Sequence, residues 1–317
     1  MANIDRALRS NIKLRHLQLL VALDEFRHLG RTAEFLSVSQ PAVSRVLTEV
    51  EKMLGMALFT RSTRGTEPTA AGESLVRFAR SVLAQYEQTR DEIAAVESGA
   101  SGRIRIGSMG AALPALLARA VGMLKERSPR AAVLIEEGDL PHLLPKLRLS
   151  ELDLIVGRLE PGYAAPDLLA EALYADPMVA VVRRGHRLTR KANPGWRDLA
   201  EVPCVLPPPW ASLRVKIEQA FHQQGLHPPQ DVIESSSYLT LATFAVARDA
   251  AGFMARSAAQ ALEAEGRLRI LAMEVPVELP PVGVMTLRER PLTSSAVQMI
   301  DYLRRTAAAL KPSGGVS

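Results

Sequence analysis

Side chains that can hydrogen-bond to nucleic-acid bases recur at three- and four-residue steps between residues 40 and 52. One stripe of a predicted helix contains Pro41, Ser44, Arg45, Thr48 and Lys52, with Gln40 at its start. Arginine pairs with guanine O6 and N7, glutamine with adenine N6 and N7, and serine or threonine with bases or phosphate. The stripe is therefore a candidate DNA-contacting surface. Taken alone, such a stripe is more often a solvated helix face, so the neighbouring segments have to decide.

The elements around this stripe predict a helix-turn-helix. Apolar residues at helical spacing predict a first helix over Leu14–Phe26, and Gly30 is expected to separate it from a short second helix over Arg31–Leu36. Ser39 suits an N-cap for the third helix, and Gly55 follows its end. On the other side of the third helix, apolar residues must face a core; they are Val43, Val46, Leu47, Val50 and Leu54. Two short helices joined by a tight turn form the helix-turn-helix pattern.

A hairpin is predicted directly after the third helix. Two short extended pieces flank the turn Ser62–Gly65, and Arg61 and Arg64 lie near its tip. Arginines in a turn say little individually. Next to a base-contacting helix they are well placed to hold DNA phosphates, so the hairpin is interpreted as a wing.

A long helix is predicted from about Ala70 to Val96, with Thr69 as its cap. Its apolar and small residues alternate in steps of four and three: Leu75, Ala79, Val82, Tyr86, Thr89, Ile93 and Val96. This heptad spacing favours pairing with the same helix of a second subunit, while packing against its own domain is the alternative. A dimer would place two DNA-contacting heads so that they recognise a palindrome.

Several blocks of this region closely resemble the LysR-type transcriptional regulators. They are Leu14–Leu17, Thr32–Arg45, Leu54–Arg61 and Thr69–Gly72, in the family's order and spacing. Thr32 is a departure, because the family usually has alanine there. The resemblance implies that the third helix contacts bases and the wing contacts the backbone. The candidate DNA-binding residues are Arg31, Ser39, Gln40, Pro41, Ser44, Arg45, Thr48, Arg61 and Arg64. The family resemblance also implies a transcriptional activator that is often a homotetramer built as a dimer of dimers, with RNA polymerase as a candidate partner.

Length and composition set limits on the whole chain. Its 317 residues are 47% hydrophobic and 23% charged, which is ordinary for two or three globular domains. The net charge of +5 is not itself a DNA signature, because residues 1–100 hold 13 basic against 12 acidic side chains. No apolar run is long enough for a membrane span and the N-terminus lacks an export signal, so we expect a cytoplasmic protein. A single cysteine, Cys204, excludes an internal disulfide.

Strands and helices alternate after a small-residue linker at 98–102, which predicts two α/β lobes with largely parallel sheets. The predicted domains are a winged helix-turn-helix (mainly α) at 1–68, a linker and dimerisation helix at 69–98, and an effector-binding domain at 99–317. Lobe I is expected at about 103–175 and 276–317, and lobe II at about 176–275. The family resemblance implies that this two-lobed domain is similar to periplasmic binding proteins and binds small effectors between its lobes.

Three segments are candidates for the effector site. Ser108, Met109 and Gly110 follow the first strand of lobe I, and Ser235 and Ser236 precede a helix in lobe II. Helix starts favour anions, although serines there are usually only caps. We interpret the two segments as equivalent points of the two lobes. The third candidate is a proline-rich loop with Pro208, Trp210 and Ser212, for which an apolar surface loop is the alternative. A carboxylate or sulfonate effector is expected, without any cofactor.

An enzyme is not predicted. The sequence has no phosphate-binding Gly-x-x-x-x-Gly-Lys and no Gly-x-Ser-x-Gly, and its six histidines lack metal-ligand spacing. Cys204 is interpreted as a small buried apolar residue. The competing hypothesis is a solute-binding protein without a regulatory role, but such a protein needs an export signal and would not carry the first hundred residues. The prediction is a sequence-specific transcriptional regulator.

Overall fold

The computed structural model describes residues 2–62, 65–98 and 102–310. They form two compact units. The first contains the N-terminal helices and a two-stranded sheet, and the second contains two five-stranded sheets. Within the described ranges, no helix is both long and apolar enough to cross a bilayer.

Five α-helices and a hairpin build the first unit. The helices are α1 (Ala2–Arg6), α2 (Leu14–Phe26), α3 (Leu29–Phe35), α4 (Gln40–Leu54) and α5 (Ala70–Ser98), with a π-helical turn at Ala7–Asn11. The strands β1 (Phe59–Ser62) and β2 (Gly65–Pro68) pair antiparallel and form the wing. Thr69 caps α5, because its Oγ1 accepts a hydrogen bond from the Gly72 amide at 3.1 Å. Leu20, Leu23, Val43, Leu47, Val50 and Leu58 form the core.

The break between α2 and α3 was predicted at the wrong residue. Helix α2 ends at Phe26 because Arg27 adopts a left-handed conformation with φ 50°. Gly30 instead lies in the first turn of α3, where its amide and that of Arg31 donate to Nδ1 of the capping residue His28. Ser39 occupies the N-cap position of α4 in an extended conformation, but its side chain accepts no capping hydrogen bond.

Two contacts fix the wing against the helices. The Glu51 carboxylate, near the end of α4, accepts hydrogen bonds from the amides of Leu58 at 2.8 Å and Phe59 at 3.2 Å. The amide of Thr66 donates to the Arg27 carbonyl at 2.9 Å. Gly65 must approach that carbonyl closely: a Cβ there would lie 2.7 Å from the oxygen, and its φ of 135° is also unfavourable for other residues.

Lobe I is a mixed sheet in the order β4-β3-β5-β12-β6. Its strands are β3 (Arg103–Ser108), β4 (Ala132–Glu137), β5 (Leu154–Arg158), β6 (Leu168–Tyr174) and β12 (Val282–Leu287); its helices are α6 (Ala118–Arg127), α7 (Leu140–Arg148) and α12 (Ser294–Leu310). A π-helical turn at Leu113–Leu117 precedes α6. Only β12 runs against the other four strands. The sequence analysis did not predict β6.

Lobe II repeats this arrangement in the order β11-β7-β10-β8-β9, with β7 as the reversed strand. Its strands are β7 (Met178–Arg183), β8 (Cys204–Leu206), β9 (Val232–Glu234), β10 (Ala251–Ala255) and β11 (Leu268–Ile270); its helices are α8 (Trp196–Ala200), α9 (Ser212–Gln223), α10 (Tyr238–Ala247) and α11 (Arg256–Ala264). The elements α8, α11 and β11 were not predicted. The reversed strands β7 and β12 are the ones that enter lobe II and return to lobe I.

The core of lobe II contains an aromatic cluster and the only cysteine. Trp196 packs against Phe221 and Phe253 with ring centroids 4.8 and 5.6 Å apart. Cys204 is fully buried in the same core, and burial raises the pKa of its thiol to about 12. The thiol therefore stays protonated and packs as an apolar side chain, as the sequence analysis expected.

A buried histidine makes the stability of lobe II depend on pH. The His186 ring accepts a hydrogen bond from the Leu188 amide at Nδ1, and its Nε2 lies 3.2 Å from the Asp249 carbonyl. Burial lowers the pKa of His186 from its ordinary 6.5, although Asp249 opposes this and Arg183 and Arg187 add to it. Below pH 6.5 the unfolded chain binds a proton that the folded chain resists, so stability falls as the pH decreases.

We therefore expect the urea midpoint to be lower at about pH 5.5 than at about pH 7.5. His186→Gln should reduce this pH dependence even though it lowers stability at neutral pH. His222→Gln, an exposed position of the same lobe, is the control and should change neither. An unchanged pH dependence in His186→Gln would exclude this explanation.

The wing contact gives a second expected outcome. Glu51→Ala leaves two amides without their acceptor and should lower the free energy of unfolding of the first unit by about 1–3 kcal/mol. Glu51→Gln retains an oxygen acceptor and should cost less. The measurement is urea unfolding of the full chain, followed by circular dichroism. Equal losses in both variants would mean that the negative charge, rather than the hydrogen bonds, holds the wing.

Candidate DNA interface and effector site

The polar stripe of α4 lies on the surface. Val43, Leu47 and Val50 are at most 1% exposed, and this burial turns the opposite side of the helix to solvent. The exposed candidates on and beside that side are Ser39, Gln40, Pro41, Arg45 and Thr48, while Ser44 is half-buried. An open groove is lined by Pro41, Ser44, Arg45, Thr48, Glu49 and Lys52. The structure thus brings most of the predicted DNA-binding residues together.

Arg45 and Thr48 differ in which of their hydrogen-bonding groups are available to contact DNA. Within the described ranges, the Arg45 guanidinium has no hydrogen-bond or ion-pair partner, so all of its donors face solvent. The Thr48 hydroxyl donates to the Ser44 carbonyl at 2.9 Å. Its remaining groups for a ligand are therefore the oxygen lone pairs and a methyl, which suits a thymine methyl. Arg31 is exposed in the first turn of α3.

Glu49 is a groove residue that the sequence analysis missed. It lies four residues after Arg45 and three before Lys52, so helical spacing alone placed it on the same stripe. A carboxylate can accept a hydrogen bond from cytosine N4 and repels phosphate. The groove is therefore not uniformly basic.

The position of Arg61 in the wing is given by the backbone pairing of its strand. Arg61 lies opposite Thr66, and Ser62 lies opposite Gly65, so two residues connect the strands. This pairing agrees with the predicted hairpin. Arg64 falls outside the described residues, and its contribution to the wing stays a prediction.

The predicted heptad seam of α5 begins too early. Leu75 and Ala79 are buried within the first unit, 8% and 0% exposed, so they are not available for a second subunit. Tyr86 and Ile93 further along the helix are exposed, and so is Phe78, which lies between Leu75 and Ala79 and which the sequence analysis did not include. The apolar stripe of α5 that faces solvent therefore starts at Phe78.

The first candidate effector segment is mostly enclosed. Ser108, the last residue of β3, is fully buried, and its Oγ lies 3.4 Å from the Met109 carbonyl. Met109 packs over Gly157, where a Cβ would be 2.5 Å from its Sδ. Gly110 is exposed with open space around it. A ligand therefore meets Gly110 and Met109 before Ser108.

The second segment is not the counterpart of the first. Ser235 follows the edge strand β9, whereas Ser108 ends β3, an internal strand whose counterpart in lobe II is β8. The α10 cap is Ser237, whose Oγ accepts from the Thr240 amide at 3.3 Å. Ser235 is half-buried and accepts from the Ser237 amide, and Ser236 is exposed. The predicted equivalence is wrong because it required the strand order, which spacing does not give.

The proline-rich loop is the true counterpart of the segment after β3. Pro208 follows β8 and its carbonyl accepts from the Ala211 amide at 2.9 Å, which closes a turn. Trp210, at the tip, is 86% exposed. Ser212 is exposed as the first residue of α9. These three candidates lie at the same strand edge as Ser235.

A polar cluster where the chain crosses between lobes was not predicted. The Arg158 guanidinium donates to the carbonyls of Pro280 at 2.8 Å and Asp176 at 2.9 Å. Asp176 accepts from the amide and hydroxyl of Ser257, at 3.1 and 2.6 Å, and so fixes the start of α11. Burial lowers the pKa of Arg158 and raises that of Tyr174 to about 12. The cluster joins both crossing segments.

Two family models match the chain. The LysR substrate binding domain matches residues 97–308, and the bacterial regulatory helix-turn-helix protein of the lysR family matches residues 14–73. The transcriptional regulator GbpR of Azospirillum brasilense is 33% identical over 94% of this chain and 87% of its own length. The regulator PcaQ of Agrobacterium fabrum is 31% identical over 94% of this chain and 95% of its own.

Solved structures agree on the fold. CbnR, a LysR family transcriptional regulator, has a TM-score of 0.70 at 19% identity, and the match covers 93% of this chain and 99% of the CbnR chain. Full-length CbnR complexed with its target DNA has a TM-score of 0.69 at 20% identity, and the match covers 93% of this chain and 100% of that one. Full-length OxyR from Pseudomonas aeruginosa has a TM-score of 0.63 at 25% identity, and the match covers 93% of this chain and 98% of the OxyR chain. These folds combine a helix-turn-helix with a two-lobed α/β domain of the periplasmic binding protein type.

The matches decide between the hypotheses left open by the sequence. A helix-turn-helix model over residues 14–73 is incompatible with a solute-binding protein that has no regulatory role. The relatives are named as transcriptional regulators rather than as enzymes. This chain belongs to the LysR family of DNA-binding helix-turn-helix transcriptional regulators.

Proposed function

We propose that this regulator activates transcription from a palindromic operator in the cytoplasm and is controlled by a small carboxylate or sulfonate bound between its lobes. The observation that carries the DNA part is the exposed stripe of α4, on which Arg45 has no partner within the described residues. An arginine with free donors on a convex helix can enter a major groove and pair with guanine.

The proposed contacts divide between bases and backbone. Gln40, Ser44, Arg45 and Thr48 lie along the base-contacting stripe of α4. Ser39 and Pro41, at the start of the helix, are proposed to lie beside the sugar-phosphate backbone, because the helix dipole there favours phosphate. Arg31, Arg61 and Arg64 are proposed to bind flanking phosphates and so to fix the register of α4.

A homodimer through α5 is proposed to hold two such heads. Phe78, Tyr86 and Ile93 are 43–57% exposed on one stripe of α5, and burying them between two helices would remove apolar surface from water. The homotetramer and the contact with RNA polymerase are proposed from the family resemblance.

The anionic effector is supported by Arg158. Its guanidinium is partly buried and forms no ion pair within 4 Å among the described residues, although the Asp176 and Glu160 carboxylates act on it electrostatically from further away. Its hydrogen-bond partners are backbone carbonyls, which do not neutralise its charge. A partly buried cation without an ion pair favours an anion nearby, at the crossing between the lobes. Gly110, Met109, Pro208, Trp210, Ser212, Ser235 and Ser236, with Ser108 beneath them, are the proposed lining.

Arg45→Ala tests the DNA part. We expect it to weaken binding to the operator by about 1–3 kcal/mol, and to relax the preference at one guanine, because a bidentate base contact is lost. Fluorescence anisotropy with the intergenic duplex beside the protein's own gene, against a random duplex, measures this. Arg77→Ala, an exposed arginine on α5, is the control. An equal loss on both duplexes would assign Arg45 to phosphate instead.

Ser236→Ala and Ser108→Ala test the effector part. A thermal-shift screen of small carboxylates and sulfonates should find a compound that raises the melting temperature of the wild type by mass action. Both variants should reduce this shift and leave operator affinity unchanged. Ser237→Ala is the control, because it removes the α10 cap and should lower the melting temperature without reducing the ligand-induced shift. Loss of operator binding in the first two variants would show a structural role.

A further inference from the structure

The segment 183–197 of lobe II is the most basic stretch of the chain. It contains five arginines, one lysine and no acidic residue: Arg183, Arg184, Arg187, Arg190, Lys191 and Arg197. We call it the basic segment. Residues 101–317 as a whole hold 26 basic against 22 acidic side chains, so without this segment the remainder of the two lobes would carry more acidic than basic residues.

The fold presents this charge on the surface of lobe II. The segment starts at the end of β7, turns at Gly185, and continues through a 3-10 helix over Arg187–Arg190 to α8. In a 3-10 helix, side chains three residues apart lie on the same face, about 6 Å apart along the axis. Arg187 and Arg190 are therefore neighbours on one face, and both are exposed.

Four of the cations form no ion pair, although Asp198 acts on Arg187 electrostatically. Within the described part of the chain, the guanidiniums of Arg184, Arg187, Arg190 and Arg197 have no carboxylate within 4 Å, and all four residues are exposed. The other two are paired and hold the segment in place. Lys191 binds Asp198 on α8, and Arg183 binds Asp249 at 2.6 Å.

The turn itself is rigid. His186 caps the 3-10 helix through the Leu188 amide, and its carbonyl accepts from the Thr189 hydroxyl at 2.7 Å. Asp198 caps α8 through the Gly195 amide at 2.9 Å. The arginines therefore project from an ordered surface, which reduces the entropy lost on binding.

We infer that the basic segment is a second DNA-binding surface, which contacts the phosphate backbone outside the operator sequence contacted by α4. The guanidinium fork matches phosphate geometry, and clustered arginines with no carboxylate within 4 Å complement the charge of a duplex. The chain is already tethered to DNA by its helix-turn-helix, so contacts too weak to act alone gain from a high effective concentration. No base specificity is expected here.

The test compares two duplexes with the full-length protein. One carries the operator alone, and the other carries it with flanks of about three helical turns on each side. The wild type should bind the flanked duplex more tightly and with a steeper dependence of log K on log salt. The variant R184Q/R187Q/R190Q/R197Q should lose this gain, with a slope on the flanked duplex shallower by about 2–4, since each phosphate contact contributes about 0.9. Its binding to the short duplex should not change.

A control variant of equal charge makes the test specific. R119Q/R127Q/R130Q/R256Q removes four exposed arginines from elsewhere in the same two lobes and should retain the flank-dependent gain. The variant with lysine at positions 184, 187, 190 and 197 should restore most of it, because a point charge still binds phosphate. Circular dichroism and melting temperatures verify that all variants fold.

Three results would overturn the proposal. They are the absence of any flank-dependent gain in the wild type, an equal loss in both glutamine variants, and retention of the gain in R184Q/R187Q/R190Q/R197Q. If that variant retained DNA binding but lost binding to RNA polymerase, the surface would be a docking site for an acidic protein. Failure of the wild type on the short duplex would instead contradict the operator contact by α4, so the two failures are distinguishable.

Discussion

The burial of one side of α4 determines where every DNA-contacting group lies. Val43, Leu47 and Val50 are each at most 1% exposed, and exposing one such side chain costs about 1.5–3 kcal/mol. Rotating the helix about its axis would expose these residues and bury the Arg45 guanidinium. Hydrophobic packing, rather than any polar contact, therefore orients the polar stripe. Glu51 extends this control to the wing, because its carboxylate holds the first residues of the hairpin relative to the same helix.

The two lobes are joined by polar contacts, in contrast to the hydrophobic packing that orients α4. Each sheet contains one reversed strand, β7 or β12, and the segments leading to these strands are joined by Arg158, Asp176 and Ser257. All of these groups are hydrogen-bonded in a desolvated region. A ligand shifts the equilibrium between two arrangements of such lobes only to the extent that it binds one arrangement more tightly than the other. An anion near Arg158 would do so by forming an ion pair that this arginine lacks among the described residues.

Strong periodicity made part of the fold predictable from sequence. The bounds of α2 and α4 follow directly from apolar spacing and helix-end residues. The break after α2 was expected at Gly30 but falls at Arg27, which adopts a left-handed conformation that tertiary contacts support, through the Thr66 amide and the ion pair with Glu67. The edge strand β11 has only three residues, too few for a pattern, and the buried and exposed residues of the edge strand β6 do not alternate. Leu75 and Ala79 fit a heptad, but periodicity does not say which partner covers them. The equivalence of Ser108 and Ser235 failed because it depends on strand order.

The net charge of the chain was uninformative because it averages over segments in which the numbers of basic and acidic residues differ in opposite directions. The N-terminal hundred residues are almost neutral, yet Arg45 has no partner among the described residues; the lobes are modestly basic, yet the excess lies in one segment. Exposed, solvated arginines contribute little to folding stability, and exposed ion pairs contribute only about 0–1 kcal/mol. Substituting Arg45 or the four unpaired arginines of the basic segment should therefore leave the fold intact. For this reason, effects of these substitutions on DNA binding report on contacts with DNA, whereas changes at Glu51 or His186 report first on the scaffold.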